Sequence, residues 1–220
     1  MLIAEKPCTW PVVPLSAKSV LLRGAPLARK ILPRWAQRFL LLHMLGVNRP
    51  YARLRAVASR LCLERELLPW IAQRYRHVLF VGTSSYTFHY EDLFRRDQYT
   101  TIEVQPRGAA WGAADHIVAP IEEIGRHRPD GSFDSIILNG VFGFGVDQPD
   151  HKRRVIAALH RALAPGGLLL VGWNTDLHDD PAPLLLPYFA PAGEEPCSER
   201  RAFAPDETHV YDFYTRRPDQ

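Results

Sequence analysis

Residues 133–174 read FDSIILNGVFGFGVDQPDHKRRVIAALHRALAPGGLLLVGWN. Ser135–Leu138 is an apolar run with the length of a buried strand. A glycine-rich loop follows, and then Val155, Ile156, Leu159 and Leu163 recur at helical spacing. Arg153, Arg154, His160 and Arg161 fall off that stripe, as on a helix with one face against a core. Pro165-Gly166-Gly167 is expected to stop the helix, since proline cannot continue it and glycine reaches positive φ freely. Leu168–Gly172 reads as the next buried strand. A strand–helix–strand unit this short implies a parallel pair joined by a right-handed crossover.

Working outward, Val78–Val81, Thr100–Val104 and His116–Val118 have the same strand character. Strands that alternate with helical or loop segments predict an α/β fold with a doubly wound, mostly parallel, Rossmann-like sheet. Thr208–Thr215 (THVYDFYT) is rich in aromatic and β-branched residues and reads as an antiparallel edge strand at the C-terminal end. Upstream, residues 1–26 are proline-punctuated. Ala28–Leu45 carries Ile31, Trp35, Phe39, Leu42 and Leu45 on one stripe, and Tyr51–Tyr75 carries Leu54, Val57, Leu61, Leu68 and Ile71. Pro69 is expected to break or kink the second helix. The reading divides the chain into a basic helical N-terminal extension or cap, residues 1–76, and a Rossmann-like domain, residues 77–220.

Ligands of a doubly wound sheet bind at the carboxyl ends of its strands, so the strand ends supply the candidate residues. After the first strand stand Gly82, Thr83, Ser84 and Ser85, offering close backbone approach, amides and hydroxyls. After the second come Glu103, Gln105 and Pro106, with Glu103 following Gly82 by 21 positions, near the spacing of an acid that binds a cofactor ribose. Ala119 ends the third strand and Asn139 the fourth, where a carboxamide faces the ligand side. His89 and Tyr90 are candidate general bases, though each alone reads first as a structural residue.

The order FD, strand, glycine loop, helix, L-x-PGG, strand resembles the second half of class I S-adenosylmethionine (SAM)-dependent methyltransferases. The resemblance covers about Val78–Gly172. It implies SAM as cofactor, with Gly82, Thr83, Ser84, Ser85, Glu103, Gln105, Pro106, Ala119 and Asn139 around it, and His89, Tyr90 and Asn139 in catalysis. The chain departs from the family pattern in two places. One glycine, Gly82, stands where the family has two or three, and Ala119 stands where an adenine-binding Asp is usual, leaving backbone groups or His116 to serve. Asn139-x-x-Phe142 is similar to the N-P-P-F/Y motif of nucleic-acid amino-methylating enzymes but lacks both prolines.

Composition narrows the classes. Cys8, Cys62 and Cys197 are too few and too far apart for a disulfide framework or a zinc site, and no metal site is expected. No apolar run reaches the roughly 20 residues of a membrane helix, the first residues lack a signal-peptide pattern, and a cytoplasmic location is expected. Residues 1–77 hold 14 Lys and Arg against 3 Asp and Glu, whereas residues 78–220 hold 13 against 21. A basic arm of this kind suits nucleic acid, an anionic membrane or an acidic partner, or is the solvated face of packed helices. The expected activity is methyl transfer to a small-molecule acceptor, with a homodimer as one assembly state. The alternatives are a non-catalytic methyltransferase-like scaffold and a nucleic-acid methyltransferase that uses the basic arm.

Overall fold

The computed structural model describes residues 57–95 and 97–217, together with Leu32 and Ala36. The predicted helix over Ala28–Leu45, its apolar stripe and the proline-punctuated start lie outside the described residues.

Among the described residues, eight strands form one sheet: β1 (Val78–Val81), β2 (Tyr99–Glu103), β3 (Asp115–Val118), β4 (Phe133–Asn139), β5 (Leu163–Asn174), β6 (Phe189–Pro191), β7 (Arg201–Ala202) and β8 (His209–Arg216). Their order is β3-β2-β1-β4-β5-β8-β6, with β7 paired to β8. The first five strands are mutually parallel, and β8 runs antiparallel to β5, β6 and β7. The predicted doubly wound sheet and its antiparallel margin are therefore present. Within that margin β8 sits one place in from the edge, which the short β6 and β7 occupy.

Alternation along each central strand explains why the sheet buries both faces. Leu79, Val81, Ile136, Leu138, Leu169 and Val171 point to one side, where they meet Val155, Ile156 and Leu159. Those three lie on α3 (Pro149–Ala162), the crossover helix between β4 and β5. Val78, Phe80, Ile137, Leu168 and Leu170 point to the other side, against Leu63, Leu67, Leu68 and Ile71. Leu63 and Leu67 lie on a π-helical turn (Leu63–Leu67) that joins α1 (Ala58–Cys62) to α2 (Leu68–Arg74), which carries Leu68 and Ile71. The π turn hands Leu68 N–H to the Leu63 carbonyl and seats Pro69 in the first turn of α2. Proline's missing N–H is harmless there, so the helix continues through it.

The Pro165-Gly166-Gly167 turn is displaced from its expected place. The helix already ends at Ala162, and Leu163 is extended. The three residues instead form a bulge in β5, between Leu163 paired with Phe133 and Leu168 paired with Ser135. Gly166 has φ +74°, and a Cβ on Gly167 would lie 2.9 Å from the carbonyl oxygens of Ala164 and Asp134. Asp134, the acid of the FD pair, accepts the backbone N–H groups of Arg76 (2.9 Å) and His77 (2.8 Å) and so ties the start of β4 to the entry of β1.

Candidate active site

The carboxyl ends of β1, β2, β3 and β4 open onto two cavities that share Gly82, Thr83, Ser84, Glu103, Gly140 and Phe144. The first, about 750 Å³, lies toward β2 and β3 and adds Ile102, Val104, Gln105, Arg107, Trp111 and Ala119. The second, about 660 Å³, lies toward α1 and the β5–β8 margin and adds Arg60, Tyr86, Asn139, Asn174, Glu207 and His209.

Gly82 leaves β1 with φ +85°, a conformation open to glycine at no steric cost. The absent glycines beyond it are replaced by side-chain ties. Thr83 Oγ1 donates to the Gly108 carbonyl (2.8 Å), and Thr87 Oγ1 accepts the Ser84 N–H (2.9 Å). Glu103 ends β2 with its carboxylate accepting Thr83 N–H at one oxygen (3.1 Å) and Gln105 N–H at the other (2.9 Å). Each oxygen keeps lone-pair capacity for a ligand. Gly108 makes this packing possible, because a Cβ there would lie 2.2 Å from Glu103 Cγ. Val104 is 58% exposed and Phe144 62% exposed on the same cavity, an apolar surface open beside a carboxylate.

Asn139 lines the second cavity, and its Oδ1 is buried without a partner. The Nε2 atom of His209, at the start of β8, is likewise buried and unpartnered. Both flank Gly172: a Cβ there would sit 2.0 Å from Asn139 Oδ1 and 3.0 Å from His209 Nε2. His209 Nδ1 lies 3.0 Å from Asn174 Oδ1, while Asn174 Nδ2 donates to Thr208 Oγ1 (3.0 Å). This assigns the proton to Nδ1 and leaves Nε2 a lone pair. Burial lowers the His209 pKa to about 4, so the ring is neutral near pH 7.

The other predicted site residues divide. Gly82, Thr83, Ser84, Ser85, Glu103, Gln105 and Ala119 line the first cavity, whereas Pro106 lines neither. His89 and Tyr90 also line neither cavity. They lie in a 3₁₀ segment, Phe88–Leu93, that turns Tyr90 inward, edge-on to Phe80. The Tyr90 hydroxyl meets Arg60 Nη1 (2.5 Å) and donates to Glu64 Oε1 (3.2 Å), and burial pushes its pKa well up. His89 Nε2 stands 3.4 Å from the same Glu64 oxygen. Burial pushes the Glu64 carboxyl up, but His89 and Arg60 outweigh that effect and hold it low. His116 Nδ1 lies 2.8 Å from Thr101 Oγ1, and the ring packs against Gly112.

Arg60, Glu207 and His209 were not legible as site residues. Arg60 is one of 11 arginines among residues 1–77, and nothing local marks it out. Glu207 accepts the Ser59 N–H (3.1 Å) and that of Ala58, capping α1 from a distant loop. Among the described residues no group of three or more His, Cys, Asp and Glu side chains is arranged to hold a metal, and no helix is long and apolar enough to cross a membrane.

Residues 80–171 match a family model described as a methyltransferase domain. No curated protein sequence matches the chain. Among solved structures, the chain is similar to the N-methyltransferase NodS from Bradyrhizobium japonicum WM9, at 17% identity, 77% of this chain, 98% of that chain and TM-score 0.53. It is similar to a TehB-like SAM-dependent methyltransferase from Corynebacterium glutamicum, at 16% identity, 80% and 99% coverage and TM-score 0.54. It is also similar to the 1,6-didemethyltoxoflavin-N1-methyltransferase of Burkholderia thailandensis, at 15% identity, 96% and 94% coverage and TM-score 0.50. The strand order, the glycine turn after β1 and the acid after β2 agree with the match of residues 80–171 to a methyltransferase domain, and the fold is the one these solved methyltransferases share.

Proposed function

We propose that the protein transfers a methyl group from SAM to a small-molecule acceptor held in the second cavity. The observation that carries this reading is the pair of joined cavities, one with a pre-oriented carboxylate beside open apolar surface and one with buried, unpartnered polar atoms. The first suits an adenosyl group. Glu103 offers acceptor lone pairs to two ribose hydroxyls, and Val104, Phe144, Ala119 and Ile121 offer apolar contact to a base. With Ala119 in place of an acid, recognition of the base rests on shape and backbone groups.

SAM, when bound, supplies a methyl group on a sulfonium sulfur that leaves as a neutral thioether. The chain's own residues supply alignment, which is most of what such a transfer needs. Gly82, Thr83 and Glu103 set the depth of the cofactor, and Asn139 at the end of β4 lines the second cavity beside Gly140, which both cavities share. Asn139 Oδ1 and His209 Nε2 each lack a hydrogen, so an acceptor carrying N–H or O–H groups is the chemistry they favour. With its pKa at about 4, His209 holds such a hydrogen in place and is a weak base for removing it. Two structural relatives are N-methyltransferases by name, one with 1,6-didemethyltoxoflavin and S-adenosylhomocysteine (SAH) bound, which supports a small nitrogen acceptor.

The test is a screen of small amines, amides and N–H heterocycles against the full chain with SAM, read as SAH release. Turnover of such a compound that falls at least about tenfold in Asn139→Ala supports the reading. Turnover confined to DNA or RNA overturns it.

A further inference from the structure

Arg60 ties α1 to the segment after β1 and still presents part of its guanidinium to a cavity. It is only 8% exposed, yet it lines the second cavity. Its Nη1 alone faces three acceptors: Glu64 Oε1 (3.1 Å), the Tyr86 carbonyl (3.2 Å) and the Tyr90 hydroxyl (2.5 Å). Its guanidinium carbon lies 4.5 Å from the centre of the Tyr86 ring. The side chain is thus fixed in position and in plane. Neither Nε nor Nη2 has a hydrogen-bond partner among the described residues, and neither is sealed from solvent. The cavity also carries the carboxylates of Glu103, Asp206 and Glu207; that of Glu207 is turned onto the α1 backbone amides and that of Glu103 onto Thr83 and Gln105 N–H.

We propose that Arg60 is the receptor for a ligand carboxylate in the second cavity. A guanidinium held on one nitrogen and stacked on an aromatic ring keeps a planar N–H edge free, and that edge matches a carboxylate in geometry and charge. Arg60 and Glu103 line the same cavity, so one ligand can span them. The carboxylate has two sources: the amino-acid tail of SAM or SAH, and an acidic acceptor. The assignment rests on the proposed function only for the first.

The experiment has two arms on the full chain. In the first, SAM and decarboxylated SAM, which differ by this one group, are titrated calorimetrically into the wild type, Arg60→Gln and Arg60→Lys. If the tail is the source, the wild type prefers SAM by about tenfold to a hundredfold. Arg60→Gln abolishes that preference by weakening SAM alone, and Arg60→Lys restores part of it. In the second arm, acetate is titrated into the wild type while arginine Nε–H signals are followed by ¹⁵N NMR, with and without saturating SAH. A shift of the Arg60 signal that SAH suppresses supports the tail, and one that persists under SAH supports an acidic acceptor. Equal affinity for SAM and decarboxylated SAM, together with no acetate response at Arg60, overturns the proposal. That result requires no variant to fold. Loss of all SAM and SAH binding in the wild type would instead refute the methyl-transfer reading, leaving the acetate arm to judge Arg60.

Discussion

Gly108→Ala places a methyl group 2.2 Å from Glu103 Cγ and 3.0 Å from Thr83 Oγ1. Carbon atoms pack at about 3.5–4.0 Å, so the glutamate side chain has to withdraw by roughly 1.5 Å. Withdrawal breaks the bonds that hold the carboxylate on Thr83 N–H and Gln105 N–H. Overpacking of this kind costs about 1–3 kcal/mol, equivalent to roughly 3–10 °C in melting temperature for a chain of this size. On the proposed assignment of Glu103 to the cofactor ribose, affinity for SAH falls further, because a displaced carboxylate cannot accept the ribose hydroxyls. Loss of one charged hydrogen bond weakens binding about tenfold, and loss of both about a hundredfold. Thermal unfolding and calorimetric titration with SAH measure the two effects on the same sample. A variant with unchanged melting temperature and unchanged SAH affinity would refute the placement of Glu103 and its assignment to the ribose.

Two further predictions follow from other parts of the molecule. The His209 pKa is lowered to about 4 against about 6.5 in the unfolded chain, so the unfolded state takes up the proton first. Stability therefore falls as pH drops from about 6.5 to 4, by about 3 kcal/mol over the full window, and is independent of His209 above it. His209→Gln should flatten this part of the pH–stability curve relative to the wild type, and parallel curves would contradict the assignment. Asp134→Ala strands the amides of Arg76 and His77. It should cost about 1–2 kcal/mol in urea unfolding and leave SAH affinity unchanged; weakened SAH binding would show that the FD acid serves the site and not the fold.

The second half of the sheet was legible because its signals are local. The apolar run of β4, the helical stripe of Val155, Ile156 and Leu159, and the run of β5 each follow from spacing within a dozen residues. Pro165-Gly166-Gly167 marked an irregularity in the chain but neither the helix end, which comes at Ala162, nor the bulge, which depends on which β4 residue pairs with Leu163. The β1 and β2 ends were legible through Gly82 and Glu103, whose spacing reflects one strand–connection–strand unit. The rest of the site comes from afar. Arg60 acquires its character from Tyr86, Tyr90 and Glu64, and His209 from Asn139 and Asn174 across the sheet. Such groups look like ordinary polar residues until the topology brings them together. His89 and Tyr90 show the converse, since proximity in sequence to Gly82 did not bring them to the cavities it lines.

On the reading proposed above, SAM binds at the carboxyl ends of β1 and β2 with Glu103 on its ribose. Calorimetric titration of SAH into the wild type and Glu103→Gln tests it most directly, because the substitution removes the charge and keeps the shape. The expected result is saturable 1:1 binding to the wild type, weakened at least about tenfold in the variant. Equal affinity in the two proteins, or no binding to the wild type below millimolar SAH, would contradict it.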